Sequence, residues 1–427
     1  MSEENTHTPG PADETPRYYE ETIVEYVDNR RQRTILAAIL VLIILLIAVV
    51  GAFVLRMSQP AGAPKKSVLP KGVTWIRSLY AWGKSPSQMM VGPTNTAIGP
   101  DGTIWVVTNK RDIVGFQPTG QVRRVILLPL GVAPGQAISL EGIGVGGDGS
   151  IYVADYGKNA IMVFSPSGRF LREWSVQLPN EVAVRGDRVA VAAAYGIGIF
   201  DTQGNLVSKW GGRGTAIDQV DLPQGIVIGR DGNIYVADTQ NKRITAFAPN
   251  GRILWQVQSK NTPGMMSVTE TLTIGGVPQE MQLPAGMTQD AAGRLLLVDP
   301  FDFQVLVVDP SKKGLIVARY GHYGTDDGEF GYPTGISYDP RRDQMAIADT
   351  ANNRVQIIRL PDTGGNAISR GLAWLSDRPV WLCFIPLLLL LLAIVLWVRD
   401  RAARREAESA SSTHSPHDGQ SGPQPAR

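Results

Sequence analysis

The stretch Gly232-Asn233-Ile234-Tyr235-Val236-Ala237-Asp238-Thr239-Gln240-Asn241-Lys242-Arg243-Ile244 decides the architecture of this chain. Arg230-Asp231-Gly232-Asn233 reads as a tight turn in which Gly232 supplies a positive φ. It joins a strand at Gly225-Ile226-Val227-Ile228 to a second at Ile234–Ala237. A third strand follows at Ile244–Ala248, then the turn Pro249-Asn250-Gly251 and a fourth strand at Ile253–Val257. The apolar residues run on instead of alternating, as they do in a sheet buried on both faces.

The same pattern returns at Gly149-Ser150-Ile151-Tyr152-Val153-Ala154-Asp155 and at Gln344-Met345-Ala346-Ile347-Ala348-Asp349. Its second strands begin at Ile104, Ile151, Val189, Ile234, Leu295 and Met345, at intervals of 47, 38, 45, 61 and 50 residues. Six such units, none able to cover its own faces, predict an all-β, six-bladed propeller. The last unit is a strand short, because the chain reaches Pro361 soon after Val355-Gln356-Ile357-Ile358. Val73–Tyr80, followed by Trp82-Gly83, matches Leu206–Lys209 followed by Trp210-Gly211. This N-terminal strand is expected to complete the sixth blade and remove an open sheet edge.

The units resemble NHL repeats, as in Asp238-Thr239-Gln240-Asn241-Lys242-Arg243-Ile244 and Asp349-Thr350-Ala351-Asn352-Asn353-Arg354-Val355. The connector from Tyr320 through Asp326-Asp327-Gly328-Glu329 to Pro333 is similar to the linker between NHL units. The resemblance covers residues 73–362 and is clearest in units two, four and six. Thr108 and Ala193 replace the repeat aspartate in units one and three, and Asp299 is followed by Pro300 in unit five. Membrane-anchored NHL propellers resemble the outer sensor domains of some bacterial transmembrane kinases. Here the flanking segments are too short to hold a kinase.

Outside the repeats, residues 1–33 are polar and read as a disordered cytoplasmic segment. Residues 34–55 form an uncharged apolar run until its end, long enough for a transmembrane helix, and residues 379–398 form a second. Residues 56–72 and 363–378 read as linkers, and 399–427 as a disordered cytoplasmic tail. The first run is longer than a signal-peptide core, so a signal anchor is expected, with cleavage near Ala61-Gly62-Ala63 as the alternative. Arg30, Arg31 and Arg33 precede the first run, and Arg399, Arg401, Arg404 and Arg405 follow the second. By the positive-inside rule both ends are cytoplasmic and the propeller is extracytoplasmic, with the two helices leaving it as a neighbouring pair. A bacterial cell membrane is the expected setting. The sole cysteine, Cys383, excludes an intrachain disulfide framework. The net charge of +2 gives no case for nucleic acid.

The repeat aspartates Asp155, Asp238, Asp299 and Asp349 are expected to cap turns, not to act in catalysis. Thr94, Asn95, Glu141, Asn180, Glu181, Gln224 and Thr334, with Ala285, align at the starts of the innermost strands and predict a polar ring at the channel mouth. Such a ring can bind water, a small ligand or calcium. No cofactor is expected, with calcium the one open alternative, at this ring or at Asp326-Asp327-Gly328-Glu329. His322 is the only histidine between the apolar runs, which excludes a three-histidine zinc site there. The 61-residue interval contains an insertion, Ser259–Gln282, whose Met265, Met266, Leu272 and Ile274 form a candidate partner-binding loop. The expected function is non-enzymatic: a binding, scaffold or sensor module for a protein, peptide or envelope ligand. The alternatives are a metal-dependent hydrolase or lyase at the channel mouth, tested through Glu141 and Glu181, and an accessory subunit of a larger membrane complex.

Overall fold

A computed structural model describes residues 33–49, 72–109, 111–128, 138–258, 273–274, 277–377 and 384–412. Six four-stranded antiparallel sheets follow one another in chain order. The first blade contains β2 (Pro93–Ile98), β3 (Ile104–Thr108), β4 (Asp112–Phe116) and β5 (Val122–Leu127). The second contains β6 (Leu140–Val145), β7 (Ile151–Asp155), β8 (Ala160–Phe164) and β9 (Phe170–Ser175). The third contains β10 (Pro179–Arg185), β11 (Arg188–Ala193), β12 (Gly196–Asp201) and β13 (Leu206–Trp210). The fourth contains β14 (Gly225–Ile228), β15 (Ile234–Asp238), β16 (Arg243–Phe247) and β17 (Ile253–Gln258). After the short hairpin β18 (Thr273–Ile274) and β19 (Val277–Pro278), the fifth contains β20 (Met287–Gln289), β21 (Leu295–Asp299), β22 (Gln304–Asp309) and β23 (Leu315–Tyr320).

The sixth blade is assembled from both ends of the repeat region. β24 (Pro333–Asp339), β25 (Gln344–Asp349) and β26 (Arg354–Arg359) come from the end, and β1 (Thr74–Leu79) pairs antiparallel with β26 in the register Thr74↔Arg359 to Leu79↔Val355. The ring therefore closes as the sequence implies.

Burial explains the unbroken apolar runs. Every residue of β3, β7, β15 and β21 is buried, as is every residue of β4, β8 and β16. Cores form between blades: Tyr152, Ile161 and Val163 of the second blade pack with Val182, Val189 and Phe200 of the third. Each such side chain contributes about 1.5–3 kcal/mol when fully buried. Outermost strands such as β5 and β13 are largely exposed and carry the charge.

The flanks differ from expectation. Among the described residues no helix is long and apolar enough to cross a membrane. The first apolar run is helical over 33–49 (α1), and residues 50–55 of that run lie outside the described residues. The segment read as the linker 363–378 contains a helix, α2 (Ala367–Ser376). The second run enters a helix at α3 (Phe384–Ser412), which continues to Ser412 instead of giving way to a disordered tail at 399. The physical reason is composition: Arg401-Ala402-Ala403-Arg404-Arg405-Glu406-Ala407 consists of strong helix formers, and Arg404 pairs with Asp400 one turn earlier. Residues 1–32 and 413–427 lie outside the described residues.

Candidate functional site

Four of the six innermost strands share one irregularity. In blades one, two, three and six the register slips by a residue near the strand start, between Pro93 and Asn95, Leu140 and Gly142, Pro179 and Glu181, and Pro333 and Gly335. A bulge re-aims the side chains that follow it. The next position is glycine in blades two and six, Gly142 and Gly335, but Asn95 in the first blade and Glu181 in the third. The glycines are needed for space. A Cβ on Gly142 would sit 2.6 Å from Glu181 Cα, and one on Gly335 would sit 2.7 Å from Asn95 Cα.

The predicted ring therefore divides. Asn95 Nδ2 donates to Glu181 Oε2, and both side chains are buried. Each also satisfies its own strand: Asn95 Oδ1 accepts from Thr96 N at 2.8 Å, and Glu181 Oε1 from Val182 N at 2.9 Å. Burial pushes the Glu181 carboxyl up to about 8, with Glu141 adding to the rise and hydrogen bonds from Val182, Asn95 and Ile143 opposing it. Thr94 and Thr334 serve the scaffold: Thr94 Oγ1 donates to Leu140 O at 2.9 Å, and Thr334 Oγ1 to Thr94 O at 2.7 Å, so each ties one blade to the next. Glu141 accepts from Ser139 Oγ at 2.8 Å, Gln224 is exposed and Ala285 is buried. Only Asn95 and Glu181 of the predicted ring line the central cavity of about 340 Å³. From that buried end the cavity runs past Thr96, Thr288 and Ser337 to exposed Arg185, Arg230 and Pro340 at the ends of the inner strands.

The repeat aspartates hold turns, and they reach further than a cap. Asp238 accepts from Asp221 N at 2.7 Å, Asn241 Nδ2 at 2.8 Å and Arg243 Nε at 2.7 Å. Arg243, fully buried, donates onward to Thr215 O, Ala216 O and Gln219 O of the linker entering the blade. Blade six repeats this: Asp349 accepts from Gly331 N, Asn352 Nδ2 and Arg354 Nε, while Arg354 Nη2 donates to Asp326 O and Glu329 O. Asp155 accepts from Ser139 N and Lys158 N, and Asp299 from Gln282 N and Leu283 N. Burial raises the Asp238 and Asp299 carboxyls above the ordinary range.

Asp326-Asp327-Gly328-Glu329 is likewise occupied by the fold. Asp327 accepts from Ser78 Oγ at 3.0 Å, Glu329 Oε2 from Asp326 N, and Gly328 N donates to Gln356 Oε1. Among the described residues no group of three or more His, Cys, Asp or Glu is arranged to hold a metal ion.

Blade three lacks both members of the aspartate–arginine pair. Where Asp238 faces Arg243 in blade four, Ala193 faces Gly196, and Gly198 takes the place of Thr245. The linker into this blade is only residues 176–178, so the loop that the arginine would hold is missing too. A cleft of about 330 Å³ remains there, lined by Trp174, Tyr195, Gly196, Gly198, Phe200 and Leu206 among others. The Trp174 and Phe200 rings lie 5.8 Å apart in its wall, and Tyr195 and Leu206 are exposed at its edge. Ala193 alone does not reveal the cleft. The paired glycines and the three-residue linker are the signals that locate it.

Of the candidate loop, Met265, Met266 and Leu272 lie outside the described residues, and Ile274 is in β18. The end of the insertion is tied to the outer edge of blade five: Gln279 Nε2 donates to Ile316 O, and Ile316 N donates back to Gln279 Oε1, both at 2.8 Å.

Residues 221–247, the stretch containing Asp238 and Arg243, match the NHL repeat family model. The chain is 24% identical over 239 residues to NHL repeat-containing protein 3 of Mus musculus, and 23% identical over 242 residues to the Homo sapiens protein of that name. Each alignment covers 51% of this chain and 63% of the relative, so the chain spans less than two thirds of the relatives' length. Among solved structures, virginiamycin B lyase from Staphylococcus aureus aligns with a TM-score of 0.47 and 13% identity, over 67% of this chain and 99% of that one. The fold and the match together define the class: a six-bladed β-propeller carrying an NHL repeat.

Proposed function

We propose that this chain is a membrane-attached binding module whose propeller, on the extracytoplasmic side, holds a protein or peptide partner. The observation that carries this reading is the cleft in blade three. Blades four and six fill the corresponding space with a buried arginine and a long linker, and blade three leaves it lined with aromatic rings. Aromatic side chains in a partly desolvated recess are the usual anchors of an interface. Membrane attachment is supported by the exposed apolar side chains of α1, such as Leu42, Leu46 and Val49, and of α3, such as Leu389, Leu392 and Trp397. Water-exposed apolar surface of that extent is unfavourable. The arginine bias beyond both runs supports the orientation.

The test is affinity purification of the full chain in mild detergent beside Tyr195→Glu and Leu206→Glu. The expected result is a stoichiometric partner that both substitutions remove. A partner recovered equally with both variants would sink the cleft as the contact. For the topology, protease added outside intact cells is expected to cut the propeller and spare a tag after Arg427. Cleavage of the tag alone would reverse the orientation.

A further inference from the structure

The central cavity has a chemical polarity that the partner-binding reading does not use. Its inner end is lined by the hydrogen-bonded pair Asn95 and Glu181, both buried. Its walls mix Ile143, Val182, Ile226 and Ile336 with the hydroxyls of Thr96 and Ser337. Its open end carries two exposed cations, Arg185 and Arg230.

These arginines are held by backbone, not by carboxylates. Arg185 Nε donates to Ile228 O at 2.7 Å, and Arg230 Nη1 to Ala291 O at 2.7 Å. Asp231, next to Arg230, accepts from Tyr235 Oη at 2.6 Å and Asn233 Nδ2 at 2.8 Å through Oδ2, and from Asn233 N through Oδ1. Burial lowers the Arg185 guanidinium first, the charge of Arg230 lowers it further and the charge of Asp231 opposes both, so the two cations feel each other and the neighbouring acid. Two guanidinium groups at the mouth of a recess, each bonded through one nitrogen to a backbone carbonyl, offer an anion the forked donor geometry that suits a carboxylate. A cavity of about 340 Å³ falls at the lower end of the ~300–1,000 Å³ that small-molecule pockets span.

We infer that the central cavity binds a small organic carboxylate, with its carboxylate at Arg185 and Arg230 and its neutral polar end against Asn95 and Glu181. The polarity also fixes what the ligand is not. A polypeptide C-terminus entering this mouth would carry its carboxylate inward, to the Glu181 end, and the rest of its chain out past the arginines. The cations sit at the opposite end, so a ligand that fills the cavity and pairs with them ends at the mouth and is a free small acid. This site is separate from the blade-three cleft, and neither proposal depends on the other.

The test is calorimetric titration of the purified full chain with a panel of unbranched acids from butanoate to octanoate and their ω-hydroxy forms. The matching primary amides and a pentapeptide with a free C-terminus serve as comparisons. At least one acid is expected to bind saturably. Its amide is expected to bind at least about tenfold more weakly, and the Arg185→Gln/Arg230→Gln double variant should lose a similar factor with an unchanged melting temperature. Both arginines are exposed, so the variant is expected to fold. If it melts lower, the single Arg185→Gln variant carries the test. No saturable binding by any acid, equal binding by acid and amide, or binding indifferent to the arginines would each overturn the proposal. The pentapeptide binding as well as the best acid, with the same arginine dependence, would overturn the enclosed orientation.

Discussion

Asn95 of the first blade donates a hydrogen bond to Glu181 of the third, beside Gly142 of the blade between them. A contact between non-adjacent blades is possible only because the intervening position has no side chain. It places a carboxyl group taken out of water at one end of the cavity.

That burial has a pH signature. Burial pushes this carboxyl up to about 8 in the folded chain, from an ordinary value of 4.5. Between these values the folded state holds a proton that the unfolded state has released. Stability therefore falls as pH rises through this window and levels off above it, by a few kcal/mol in all. The melting temperature of the wild type is expected to drop between pH 5 and 8. In Glu181→Gln the drop should be smaller, and equal slopes in the two proteins would show that Glu181 does not carry the effect.

Gly142 gives a steric prediction. Gly142→Ala puts a methyl against the Glu181 backbone, where nothing flexible can yield, whereas Gly147→Ala meets nothing within 4 Å. Overpacking of this kind costs about 1–3 kcal/mol. Gly142→Ala should melt several degrees below wild type and Gly147→Ala within about a degree of it. Similar melting of the two variants would count against close approach of the inner strands.

The Asp238–Arg243 pair is fully buried on both sides. Removing one member leaves the other charged and unpaired, at a cost of about 3–5 kcal/mol, while removing both costs less than the sum. Arg243→Leu is expected to be more destabilising than Asp238→Ala/Arg243→Leu in urea unfolding. An additive double variant would mean that the two side chains are not coupled.

The repeat aspartates show where sequence reading ends. Asp155, Asp238, Asp299 and Asp349 were legible as structural because turn chemistry is local, and β1 was legible because its sequence repeats that of β13. The burial of Arg243 was not, because the carbonyls that satisfy it lie 24 to 28 residues upstream. Of the residues aligned as the channel ring, Asn95 and Glu181 line the cavity, and the backbone bulges decide that Thr94 and Thr334 bond to neighbouring blades. Neither α2 nor the extension of α3 is expected from the sequence: the Gly-rich approach to α2 reads as a linker, and the charged start of the tail reads as solvated. The cleft in blade three depends on what is missing from a motif, and it becomes visible only when blades are superposed strand by strand.

Helix α2 is fastened to the sixth blade by charge. Arg342 donates to both carboxylate oxygens of Asp377, Nε to Oδ2 at 2.7 Å and Nη2 to Oδ1 at 2.5 Å, and its Nη1 donates to Asp339 at 2.8 Å. Arg370 donates to Asp343 Oδ2 at 2.8 Å. Burial raises the Asp343 carboxyl, but hydrogen bonds from Thr363, Tyr338 and Arg370 outweigh it and hold the group below its usual 3.8. A depressed acid contributes stability above its unfolded value and loses it as pH falls through the folded value, so this anchor should persist to below pH ~3.8. Arg342→Ala removes the bidentate contact and leaves Asp377 without it. Charge-assisted hydrogen bonds are worth about 1.5–3 kcal/mol, so amide exchange across Ala367–Ser376 should speed by about 10- to 100-fold. The exposed Arg404–Asp400 pair of α3 is the control, and Arg404→Ala should leave exchange in α2 unchanged. Unaltered protection of α2 in Arg342→Ala would mean that the helix is held by its buried Ala373 face and not by the ion pair.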